Sequence, residues 1–357
     1  MVAVLLVLAA SLAATDLSPD ALVEGRHYKR ARPLLENAVR ANPNDAQAAY
    51  LLARVKLAYR DMDGALALAE KAVALNPKNA DYHVLLSQVV GEIAQNANKL
   101  AQFGHARRYR KEVETAFALD PRNVEAKQAM MLYYLEAPGI MGGDRKKAEA
   151  TAEEIMKLNP ARGYLAQARI LSKDREKLNE KEFLARLLSL DEKAVAADPK
   201  NLEARVALAN LCLAGAIKKY DVAEQQAREV LKLDPDRVAG YSLLAVNYGV
   251  QERWADLDAI LAQGEKAVPD NLAPYFFVAR NLVIAGKDLP RAERYLRKYL
   301  TQPPEPAQPT HAQTHWQLGL ALEKQGRKPE AIAALEAAVR MDGNLEPAKK
   351  DLKRLKG

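Results

Sequence analysis

Three sets of residues in this 357-residue chain have types and spacings that could do chemistry. His311 and His315 stand four apart, so on a helix they would share one face and could chelate a metal ion. No carboxylate or third histidine accompanies them at helical spacing, so the ligand set is incomplete. The single cysteine, Cys212, could be a nucleophile, but it lies inside an Ala/Leu-rich helical run where side chains pack inward, and a buried thiol is inert. One cysteine also excludes an intramolecular disulfide and a Cys-based zinc cluster. The segment Ala137–Asp144, "APGIMGGD", has the glycines of a phosphate loop. A Walker loop needs Gly, four residues and then Gly-Lys-Ser/Thr after a strand, whereas Gly139 leads to Gly143-Asp144. No HExxH or GxSxG pattern occurs. The residues therefore assign no catalytic, metal or cofactor site.

The elements that hold these residues are helical. Apolar residues make up 49% and charged residues 28%, with few aromatics and abundant Ala and Leu, a mixture that favours folded helices over strands. The net charge of +7 comes from 53 cations against 46 anions, a mixed surface rather than a basic tail. Basic segments lie at His105–Lys111, Arg145–Lys147 and Lys349–Lys356, without the interleaved aromatics of single-strand binders, so no nucleic-acid partner is expected. The first fourteen residues, "MVAVLLVLAASLAA", carry no charged side chain. The run is too short to span a bilayer and matches the apolar region of a cleaved signal, with small residues at Ser11-Leu12-Ala13, although Lys and Arg are missing before it.

A landmark recurs along the rest. Prolines 43, 77, 121, 160, 199, 235 and 269 each follow a helical run, at spacings of 34, 44, 39, 39, 36 and 34. Proline lacks an N–H and forces the preceding residue out of the α region, so each ends a helix. With proline set at position 32 of a unit, small residues recur at three positions. Position 8 holds Ala53, Ser87, Ala209, Ala245, Ala279 and Gly319. Position 20 holds Ala31, Ala65, Ala148, Ala223 and Ala331, and position 27 holds Ala38, Ala72, Ala116, Ala194 and Ala338. Small side chains there let two helices of a unit approach closely. Insertions enlarge the turn between the two helices in the units at 80–121, 124–160 and 163–199, and the first of these lengthens its helices as well. The Pro-rich stretch 302–310 lengthens a later turn, and "EPAKKDLKRLK" reads as a polar capping helix.

A 34-residue period of paired helices resembles the tetratricopeptide-repeat family, most closely in the unit His315–Gly343. The resemblance covers residues 17–357 and implies an all-α fold. It implies a right-handed α-solenoid of about nine helix-turn-helix units, a single superhelix over 15–357 with a C-terminal capping helix. It also implies a non-enzymatic scaffold whose concave groove, lined by the first helix of each unit, holds a peptide or helix of a partner protein. Positions 2, 5, 9 and 12 of that helix share one face. Carried over, they give a groove set of Tyr50, Arg54, Val84, Gln88, Val206, Asn210, Phe276, Arg280 and Trp316. The Lys and Asn that the chaperone-binding members carry at positions 5 and 9 are replaced by Tyr50 and Arg54. With the apolar leader, the expectation is a periplasmic or secreted protein of envelope assembly or secretion. The alternatives are a cytoplasmic protein and an accessory subunit of an envelope enzyme acting on glycans or lipoproteins.

The stretch "YYLEAPGIMGGDRKKAEATAEEI" is similar to segments of exported bacterial proteins of the same family. Pro138 should end the preceding helix, the glycines permit positive φ, and Asp144 can cap the next helix. Ile140 and Met141 need burial, so the loop is expected to fold back over the solenoid edge, with partner contact as the other reading.

Overall fold

The computed structural model describes residues 17–357; the predicted signal at 1–14 lies outside the described residues. The chain forms α1 (Pro19–Glu24), α2 (Tyr28–Ala41), α3 (Ala46–Ala58), α4 (Met62–Leu75), α5 (Ala80–Asn96) and α6 (Lys99–Leu119). It continues with α7 (Val124–Glu136), α8 (Arg145–Leu158), α9 (Pro160–Ser172), α10 (Glu180–Ala197), α11 (Leu202–Leu213) and α12 (Tyr220–Leu233). The last third holds α13 (Val238–Val250), α14 (Trp254–Ala267), α15 (Ala273–Ala285), α16 (Leu289–Tyr299), α17 (His311–Lys324), α18 (Lys328–Met341) and α19 (Glu346–Lys356). Each helix packs on its sequence neighbours, and odd-numbered helices also touch one another, which makes an all-α solenoid with no strand among the described residues.

The recurring proline sits in a turn with a repeated hydrogen bond. In Asn42-Pro43-Asn44-Asp45, Asp45 N donates to Asn42 O at 3.1 Å while the Asp45 side chain caps α3 by accepting from Ala48 N at 2.9 Å. The same pattern recurs at Asn76–Asn79, Asp120–Asn123 and Asp198–Asn201. Each cap satisfies an N–H that the helix leaves unpaired, worth about 1 kcal/mol. The small residues lie where helices cross: Ala53, Ala65, Ala72, Ala209, Ala279, Ala292 and Ala331 are fully buried.

The units with insertions depart from the expected form. The unit at 80–121 has no enlarged turn, since only Ala97 and Asn98 separate α5 from α6, and the extra residues lengthen both helices. The unit at 163–199 begins early. Pro160 opens α9 instead of extending the turn, and Asn159 both ends α8 and caps α9. Gly163 makes this possible, because a Cβ there would lie 2.4 Å from Met156 Cα on α8. Its inner turn is enlarged around the 3₁₀ turn Arg175–Lys177.

A contact between distant parts of the chain closes the solenoid on itself. The end of α1 reaches the turn before α13, and the start of α2 reaches the turns before α15 and α17. Lys29 N donates to Glu305 Oε2 at 3.1 Å, Lys29 Nζ donates to Pro303 O at 2.9 Å and to Asp270 O, and Arg30 pairs with Asp270. Arg237 Nη1 donates to Glu24 O at 3.1 Å. The Pro-rich stretch 302–310 thus carries Glu305, only 3% exposed, into the N-terminal helices. Burial pushes its carboxyl up to about 7. Burial, with the charge of Arg30, holds the His27 imidazole below its usual range. Helix α19 covers the other end, burying Ala348 and Leu355 beneath a polar face.

Candidate functional site: the groove between helices α15 and α17

The expected groove residues fall into three environments. Tyr50 stacks on Tyr82 with ring centroids 5.0 Å apart, and Arg54 lies over Tyr50 while donating to Glu24 at 2.5 Å. Helix α1 therefore occupies this end of the face, and Arg54 is already paired. Gln88 and Asn210 are exposed, and Asn210 Nδ2 donates to Val206 O at 3.0 Å beside half-buried Val206. Val84 and Phe276 are buried at 3% each, contrary to their expected exposure. Val84 packs against Ala116 and Ala126, and Phe276 against Tyr299 and Phe277.

The solvent-facing stripe of α15 lies one residue further along. It is Phe277, Arg280 and Ile284, of which Ile284 is 64% exposed. Positions 276 and 277 differ by about 100° around a helix, so Phe276 also borders the cleft but turns most of its ring into the core, while Phe277 is more open to solvent. Across from this stripe stand Trp316, Leu320 and Lys324 of α17, and together they line a cleft of about 550 Å³. Trp316 Nε1 donates to Asp351 Oδ2 at 2.8 Å, so the capping helix fixes the indole and leaves its ring to the cleft. Lys324 Nζ donates to Val283 O at 2.7 Å. Arg280 is exposed and holds no hydrogen bond or ion pair among the described residues. Gln317 is 4% exposed, lines the cleft, and its Oε1 has no hydrogen-bond partner. The cleft therefore offers apolar walls, one free guanidinium and one free amide oxygen.

The other singled-out residues are placed elsewhere. His311 Nε2 lies 2.8 Å from Gln302 O, and no group of three or more His, Cys, Asp or Glu is placed to hold a metal among the described residues. Cys212 is fully buried, and desolvation pushes its thiol up to about 11. The 137–144 loop follows α7 with the 3₁₀ turn Gly139–Met141, and Gly142 takes φ +96°. Asp144 caps α8, accepting from Lys146 N at 2.9 Å. Tyr133 Oη donates to Met141 O, and Met141 is half-buried. Ile140, expected inward, points out at 85% exposed, because the loop closes as a three-residue 3₁₀ turn that buries none of its side chains. No helix among the described residues is long and apolar enough to cross a membrane.

The repeat architecture agrees with the family models that match the chain. Family models described as tetratricopeptide repeat match residues 22–89 and 279–346. No curated protein matches the chain. Among solved structures, it is similar to a tetratricopeptide-repeat protein of Thermus thermophilus at 25% identity and a TM-score of 0.46, covering 55% of this chain and 96% of that one. It is similar to yeast Tom70 at 14% identity and a TM-score of 0.49, covering 95% and 86%. A tetratricopeptide-repeat protein of Parabacteroides merdae gives 16% identity and a TM-score of 0.48, covering 76% and 99%. The chain thus carries tetratricopeptide repeats near both ends, with paired helices running between them.

Proposed function

We propose that the protein is a non-enzymatic scaffold that holds a segment of a partner protein in the cleft between α15 and α17. Tetratricopeptide repeats generally mediate protein–protein interaction. The observation that carries the reading is Arg280, a free guanidinium set between half-buried Phe277 and exposed Ile284. Arg and aromatic side chains dominate binding energy at interfaces, and an unpaired Arg favours a carboxylate on the incoming segment. The segment that fits carries a large apolar side chain beside an acidic group.

The apolar run at 1–14 supports placing this scaffold in the cell envelope, in assembly or secretion. Recovery of cross-linked partners from cells tests both readings. The expected result is an envelope protein recovered by the wild type and lost at least ten-fold on changing Phe277 and Ile284 to Ser. Unchanged recovery by that double variant would overturn the cleft assignment.

A further inference from the structure

A second concavity, of about 590 Å³, lies among α7, α9, α10 and α11. Its apolar walls are the half-buried Leu132, Leu165, Leu187 and Leu211. Most of its polar groups are engaged within the chain. Gln128 accepts from Arg162 at 3.1 Å, Arg169 pairs with Glu136 at 3.4 Å, and Asn210 donates to Val206 O. Two lining groups have no partner among the described residues, Asp191 and Glu203, and both are carboxylates.

Glu203 is exposed at the rim, whereas Asp191 is 4% exposed. Its oxygens keep a little contact with solvent, and holding a carboxylate that far out of water with no partner in the chain is costly. Neighbouring chemistry does not relieve it. Cys212 beside it on α11 stays a neutral thiol, and Lys219 is engaged with Glu192 at 3.4 Å. Burial shifts Asp191 itself upward, to about 6, with no cation opposing the shift.

A buried anion and a rim anion at the end of four leucines match one chemistry: a flexible apolar shaft that ends in a cation. We propose that this concavity is a subsite for the alkylammonium side chain of a lysine on the bound protein segment, paired with Asp191. The lysine belongs to the partner of the scaffold reading, so the subsite rests on that reading for its occupant. A lysine fits by its unbranched four-carbon stem, which can lie along the leucines while its ammonium pairs with the one buried carboxylate.

The test uses the full chain and the peptide acetyl-Leu-Lys-Leu-amide, with acetyl-Leu-norleucine-Leu-amide as the uncharged control, followed by titration calorimetry. The lysine peptide should bind the wild type at least ten-fold more tightly than the control. Asp191→Asn should abolish that preference, with the variant's helical circular dichroism unchanged. Phe277→Ser should leave it intact, so a failure of the α15–α17 cleft is read separately from a failure of this subsite. Equal affinity for the two peptides, or a preference that survives Asp191→Asn, would overturn the assignment.

Discussion

Asp191 shows how one side chain sets a measurable cost. Its carboxyl is raised to about 6 by burial, so the folded state holds a proton that the unfolded state releases near the ordinary aspartate value. Its contribution is therefore most favourable below pH 4 and is lost as pH rises through 6. That rise corresponds to about 3 kcal/mol. Asp191→Asn should raise stability at pH 7.5 by up to that amount and change it little at pH 4, as measured by urea unfolding at both values. A destabilised variant at pH 7.5 would mean that Asp191 is paired in solution. At this scale the sequence was only partly legible. Ala53 and Ala209 could be placed in the core because the repeat fixes their positions, and Cys212 because it lies in the same packed run. Asp191 could not, since a lone aspartate in a helix reads as solvent-facing until its neighbours are known. Phe276 and Phe277 are adjacent, and periodicity alone did not say which one turns inward.

Among the elements, the helix ends were the most legible, because caps and prolines are local signals. Asp144 was expected to cap the helix after the glycine loop, and it accepts from Lys146 N and Lys147 N. Asp144→Ala should cost about 1 kcal/mol, read as a lower thermal midpoint. Gly143→Ala should cost more, because a Cβ there would lie 1.7 Å from Ala137 O, and the backbone itself must move. A smaller loss for Gly143→Ala than for Asp144→Ala would contradict this description of the turn. The direction of Ile140 was not legible, since an exposed isoleucine is read as buried from its type alone. The early start of α9 was also hidden. It depends on how closely Gly163 lets that helix approach Met156, which is a packing property and leaves the proline spacing unchanged.

For the whole molecule, the 34-residue period made the solenoid legible, yet said nothing of its closure. Lys29 and Glu305 are 276 residues apart, and no repeat relates them. The Pro-rich stretch looked like a lengthened turn, but it also supplies the acceptor that meets the first helices. Arg30→Glu should set like charges against Asp270 and release α1 and α2 from the turns they touch. Small-angle scattering should then report a larger radius of gyration, and an unchanged radius would mean that the remaining contacts hold the closure alone.

The cleft in which Phe277, Arg280 and Ile284 face Trp316 and Leu320 is the molecule's central candidate surface. A photoreactive side chain at position 277, compared with one at the buried position 276, tests it directly in cells. Position 277 should capture one partner protein, capture should fall at least ten-fold with Arg280→Glu, and position 276, which borders the cleft but is nearly out of solvent, should capture far less. Equal capture from both positions, or capture from 277 that is indifferent to the Arg280 charge, would contradict it.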